Sequence, residues 1–264
     1  MEPGGFLQPH LPSPPQSSNG SQAVDGLVLP IARSHPIKRG SGKESAVIDH
    51  VDAKLLEISR RYEKRFNPAS RTGVEADAKG HGYETFGEAA KDLEAITDVV
   101  WVTGTPTLQT SYLLSIALAI LTYLPSFPFD PRPTFRILRK LDLAFASLLQ
   151  GSNVETGERL SGFEGLFGAR GIDTTKRVRM RGIVERTRVS IVEVAAKEGS
   201  VIDNGSIQQV ITDEDTAMED DVSEATGYED LAGENRGNWE MEVATVYEKS
   251  LLLLGESLEG SGFD

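Results

Sequence analysis

Thr134-Phe135-Arg136-Ile137-Leu138-Arg139-Lys140-Leu141-Asp142-Leu143-Ala144-Phe145-Ala146-Ser147-Leu148-Leu149-Gln150-Gly151 carries apolar side chains every three or four residues. Phe135, Leu138, Leu141, Phe145 and Leu148 share one stripe of a 3.6-residue turn, and Arg136, Arg139 and Lys140 form part of the wet side. Gly151 stands where a helix end favours a left-handed residue without a Cβ. Pro125, Pro128, Pro131 and Pro133 make a stiff connector ahead of the run. The pattern predicts a core-facing helix over about 134–150.

The same period recurs on both sides. A first helix is predicted over about 44–66, from Val47/Ile48, Val51, Leu55, Ile58 and Tyr62, with Arg60, Arg61, Lys64 and Arg65 favouring the negative end of its dipole. Asn67-Pro68 stops it. A second covers about 86–101 on Phe86, Ala90, Leu93, Ile96 and Val100, with Asp92, Glu94 and Asp98 pointing elsewhere. Thr105 is then a candidate cap for a third helix over about 106–124, with Pro106 at its first position.

That third helix is apolar on nearly every face. A membrane span needs ~20 mainly apolar residues. Only 18 residues separate Pro106 from Pro125, and they include Thr107, Gln109, Thr110, Ser111, Ser115 and Thr122. The stretch therefore reads as a buried helix at the centre of a bundle. A fifth helix starts near Asp173-Thr174 and runs to about Lys197, with Met180, Val184, Thr187, Ile191 and Val194 along one side. The β-branched Val189, Ile191, Val192 and Val194 leave a strand open as the alternative. A sixth helix over about 239–258 places Trp239, Val243, Val246/Tyr247, Leu251 and Leu254 on one face, either docked on the bundle or free for a partner's groove.

The fold class is thus all-α, a bundle of five to six helices. Residues 1–43 are expected to be disordered, 44–200 to form the helical domain, 201–237 an acidic disordered linker, and 238–264 an amphipathic helix and tail. The hydrophobic content of 39% over 264 residues agrees with a modest core bearing disordered segments. The net charge of −13 is concentrated: residues 203–242 hold thirteen acids against the single base Arg236. The acidity belongs to a tail-like segment, which makes it a local feature for binding or shielding.

Catalytic and metal chemistry find no footing. There is no cysteine, so disulfides and thiolate metal sites are excluded, and a reducing compartment fits. His10, His35, His50 and His81 are scattered and form no ligand pair. Gly40-Ser41-Gly42-Lys43-Glu44 fails as a P-loop, since Ile37 replaces its first glycine and Glu44 the hydroxyl that would hold magnesium. No serine-nucleophile elbow or tuned carboxylate pair stands out. The chain reads as a non-enzyme without a cofactor. Its start, Met1-Glu2-Pro3-Gly4-Gly5, has neither the basic nor the apolar region of a signal peptide.

From Arg170 to Arg188 seven bases face two acids. Arg177, Arg181 and Arg188 are the candidate contacts to an acidic protein partner or to the chain's own linker; nucleic-acid phosphates are the less favoured reading. The linker mixes its acids with Val210, Ile211, Met218, Val222, Tyr228 and Leu231, the composition of a docking peptide or of a solvated spacer. Trp239 is the candidate anchor of the last helix.

Four stretches together resemble a known family. They are Asp52-Ala53-Lys54-Leu55-Leu56-Glu57-Ile58-Ser59-Arg60-Arg61-Tyr62, Val99-Val100-Trp101-Val102-Thr103-Gly104-Thr105-Pro106-Thr107-Leu108-Gln109, Leu138 to Gly151 with Thr156-Gly157-Glu158 after it, and Lys176-Arg177-Val178-Arg179 through Thr187-Arg188-Val189. The resemblance is to the fungal accessory subunit (subunit eleven) family of the general transcription factor IIH, over roughly 44–195. It implies a non-enzymatic nuclear protein whose partners are protein subunits of that transcription and repair complex. It also implies an influence on how the complex's DNA translocase subunit associates or leaves. Direct nucleic-acid or membrane binding is not expected. The competing classes are a histone chaperone-like acidic binder and a membrane-associated helical protein.

Overall fold

Local chemistry starts and stops the helices of this chain. The computed structural model describes residues 29–66, 81–163, 172–208 and 241–259, with side chains given to 197 and 255 in the last two stretches. Among the described residues six helices follow one another: α1 (Gly42–Lys64), α2 (Phe86–Val102), α3 (Pro106–Tyr123), α4 (Pro131–Gln150), α5 (Thr174–Gln208) and α6 (Glu248–Glu259). A 3-10 turn, Leu124–Ser126, extends α3. The described residues contain no strand, only an isolated antiparallel bridge between Ser152 and Arg159. The all-α class is as the periodicity required. The β-branched run of α5 is helical too, because Ile191 and Val194 are buried and packing outweighs a weak intrinsic preference.

Ser41 caps α1 by accepting from Glu44 N–H at 3.3 Å, while the Glu44 carboxylate accepts from Gly40 N–H. Thr85 and Glu88 cap α2 in the same way. Thr105 stands at the start of α3 but does not cap it. Its hydroxyl accepts from Ile37 N–H at 2.9 Å and donates to Thr103 C=O. Gly151 ends α4 at φ +77°, donating to Ser147 C=O at 2.8 Å.

The centre of the bundle is α4, not α3. Every residue from Leu141 to Leu149 is buried, and α4 packs on α2, α3 and α6. α3 packs on α2, α4 and α5, and leaves Ser111, Ser115, Leu118 and Thr122 exposed along its outer side. Those three hydroxyls donate to carbonyls four residues back, so that side needs no protein cover. Within Pro106–Ser126, a window of 18 residues with mean hydropathy 1.4 makes the helix long and apolar enough to cross a membrane by length and composition, and half of that window is buried in this fold.

Charges that the sequence placed on wet faces join the helices. Arg136 on α4 grips Glu94 on α2 through both carboxylate oxygens, and Lys140 meets Asp98 at 2.6 Å. Asp92 receives Arg61 at 2.6 Å and the Tyr83 hydroxyl at 2.7 Å, tying α1 to α2. Tyr62 of α1 stacks on Tyr123 of α3 with ring centroids 3.9 Å apart.

Two expected boundaries change. Residues 29–41, assigned to a disordered N-terminal region, are a strap laid over the α2–α3 corner: Leu29 and Ile37 are buried, and Arg33 N–H donates to Val102 C=O. Two apolar anchors and backbone hydrogen bonds offset the ordering cost that its Pro- and Ser-rich composition implied. α5 also runs eight residues into the stretch assigned to the linker; no proline interrupts 174–208. The rest of the N-terminal segment and of the linker lies outside the described residues, as do Leu166 and Phe167.

Candidate partner-binding face

α5 buries Met180, Ile183, Val184, Thr187, Ile191 and Val194 toward the bundle. The other side of the helix follows from 100° of turn per residue. Arg177, Arg181 and Arg188 fall within about 40° of one another on one flank. Val178, Val189 and Val192 occupy the next sector and are 59%, 58% and 53% exposed. Arg179 and Arg186 lie beyond them on the far flank. The three arginines singled out from the sequence are therefore brought together, beside an uncovered apolar stripe.

They do not have equal freedom. Arg181 pairs with Glu185 at 2.7 Å, an exposed pair one turn apart. Such pairs contribute only ~0.3–0.5 kcal/mol, so a partner carboxylate can replace Glu185 at little cost. Arg177 folds back to donate to Ile172 C=O at 3.0 Å, holding the entry into α5. Arg188 donates to Ala244 C=O at 3.4 Å.

The contact of Arg188 places the C-terminal segment beside this flank. One helical turn, 241–244, precedes a bend in which Tyr247 takes φ +56° and is buried with Val246. The predicted continuous helix over 239–258 is thus broken, and α6 starts only at Glu248. Arg139 of α4 holds Glu242 at 2.6 Å, and Tyr247 stacks on Phe145 at 6.0 Å. Of the two options left open by the sequence, docking is the one adopted: α6 packs on α4, with Ser250 and Leu254 buried. Trp239 lies outside the described residues.

The docking also uses a residue that periodicity did not single out. Asp142, buried in α4, accepts from Ser250 Oγ at 2.5 Å, Ser250 N–H at 2.8 Å and Lys249 N–H at 3.2 Å. It caps the start of α6 from another helix, supplying the anion that a helix N-terminus favours. Burial pushes its carboxyl above the ordinary aspartate value, and the hydrogen bonds from Ser250 and Lys249 oppose that rise. The signal was in the sequence: an acid set between Leu141 and Leu143 within an apolar run. No group of three or more His, Cys, Asp or Glu suited to a metal occurs among the described residues.

A family model described as subunit 11 of the general transcription factor TFIIH matches residues 82–255. The match runs from the start of α2 to the middle of α6 and includes the arginine flank and Asp142. An uncharacterized protein of Schizosaccharomyces pombe is 25% identical over 165 residues, which cover 60% of this chain and 85% of that protein. No solved structure matches this chain.

Proposed function

Because the chain belongs to the family of subunit 11 of the general transcription factor TFIIH, we propose that it acts in the nucleus as a non-catalytic accessory subunit, binding other protein subunits and modulating how the DNA translocase subunit associates with the complex. The observation that carries this reading is the family match across 82–255, which takes in nearly all of the packed core. Arg177, Arg181 and Arg188 are the contacts to an acidic surface of the partner. Guanidinium groups suit this role because they pair with carboxylates through two parallel hydrogen bonds. Trp239, just ahead of the turn held by Arg139 and Arg188, is the apolar anchor, since interface energy concentrates in Trp and Arg side chains.

Tagging the full chain in its native host and purifying it gently tests the assignment. TFIIH subunits in stoichiometric amounts are the expected result, and their absence removes it. Arg177→Glu, Arg181→Glu and Arg188→Glu combined should weaken the association at least about tenfold while far-UV circular dichroism keeps its helical signal. Unchanged affinity at physiological salt would take the arginine flank out of the interface.

A further inference from the structure

We propose that the outer face of α5 is a docking surface whose occupant in the free protein is the acidic segment 209–240 of this same chain, in competition with the protein partner. The inference rests on the reading of the arginine flank as a partner contact, and it adds what holds that flank beforehand.

The face has two kinds of unmet demand. Val178, Val189 and Val192 are more than half exposed on a helix whose other side is buried from Met180 to Ala195. From Thr174 to Lys197 the helix carries seven bases and two acids, and Glu185 is already paired within the helix. Segment 209–240 meets both demands. It has eleven acids against Arg236, and apolar side chains, among them Met218, Val222, Tyr228 and Leu231, are spread among the acids. A second copy of the chain would bring like charge against like on this face, so charge favours the acidic segment over a dimer.

Connectivity adds a second argument. The segment leaves from the end of α5 at Gln208 and returns at 241–244, where Arg188 holds Ala244 C=O. Both of its ends are therefore fixed to the same helix. Arg188 and Gln208 are about 30 Å apart along the axis at 1.5 Å per residue. A coil of the segment's 32 residues has a root-mean-square span of about 30 Å as well, so its length suits the distance it must cover. Stretched out it reaches about 105 Å, enough to pass Arg179 and return. A tether of this kind holds its middle near the face at roughly millimolar effective concentration. An affinity too weak to detect between separate molecules then suffices for occupancy.

The absence of cysteine makes the test direct. Ser223→Cys supplies a single site for a nitroxide in the middle of the segment, and the methyl signals of Val178, Val189 and Val192 are read by NMR in the full chain. Those signals should broaden at low salt, while Val100, buried on α2, stays sharp. High salt should restore them, as should neutralising Asp213, Glu214, Asp215, Glu219, Asp220 and Asp221 to the corresponding amides. The neutralised chain should also bind TFIIH several-fold more tightly. Valine signals that stay sharp in the labelled chain, or broaden equally after neutralisation, overturn the proposal. Sharp signals in a chain that sediments as a dimer give the face to a second copy. The relaxation readout uses the isolated chain, so broadening together with failure to recover TFIIH subunits would keep the self-contact and reject only the partner reading.

Discussion

Replacing Asp142 with alanine removes the acceptor shared by Lys249 N–H, Ser250 N–H and the Ser250 hydroxyl. Hydrogen bonds to a charged group contribute about 1.5–3 kcal/mol each, which puts the gross loss at roughly 5–9 kcal/mol. The cost of keeping the carboxylate away from water, visible in its raised pKa, takes back part of that sum. Loss of an ordinary helix cap sets a floor of about 1 kcal/mol, and a buried donor left without its acceptor costs about 1–3 kcal/mol. We expect Asp142→Ala to cost about 3 kcal/mol in urea denaturation. The loss should centre on α6, since the donors are its first-turn amides, and amide exchange at 249–254 should accelerate more than exchange in α2. Ser250→Ala tests the same contact from the other side, and the double-mutant cycle should return a coupling of about 1–2 kcal/mol. A loss below about 1 kcal/mol with unchanged protection of α6 would refute the view that this carboxylate holds the C-terminal helix on the bundle.

Gly104 sits at φ +58° between the strap and the loop after α4; a Cβ there would lie 2.5 Å from Ser161 Oγ and 2.8 Å from Arg33 C=O. Gly104→Ala should therefore lower stability by more than about 2 kcal/mol, whereas Gly157→Ala, with similar φ but open space, should lose only about 1–2 kcal/mol from the left-handed conformation; equal melting temperatures would contradict the crowding. Arg136→Met leaves the buried Glu94 without this guanidinium partner and should cost about 3 kcal/mol, while Arg136→Met with Glu94→Leu should recover most of it. The pH dependence of Asp142 has an unusual sign. Its folded pKa is raised, so between that value and the ordinary aspartate value the folded state binds more protons than the unfolded chain. Wild type should gain stability relative to Asp142→Asn as pH falls through that window, measured by urea titrations at several pH values; a wild-type advantage that shrinks there would overturn the assignment.

The positions of α1 to α5, apart from the end of α5, were legible because their causes are local. Apolar spacing, Pro106 at the first position of α3 and Gly151 at the end of α4 all act within a few residues of chain. The candidate face was half legible. Arg177, Arg181 and Arg188 stood out as bases, but that Arg177 and Arg188 also hold backbone carbonyls depends on chain segments brought in from elsewhere. Asp142 was passed over for the same reason, since its donors lie more than a hundred residues away.

Periodicity in the amino-acid sequence was enough to establish an all-helical chain and which stripe of α1, α2, α4 and α5 is apolar. It did not establish what each stripe meets. α3 is the most uniformly apolar helix, yet its outer side stays exposed with its serine and threonine hydroxyls bonded within the helix, and α4 takes the centre. Glu94 looks solvated on α2 alone and is buried because α4 brings Arg136 across it. The strap's Leu29 and Ile37 have no period to reveal them, and they are buried because the α2–α3 corner offers a surface to cover. Helix formation is governed by neighbours three and four residues apart, whereas burial and charge pairing are governed by whichever segments tertiary packing places side by side.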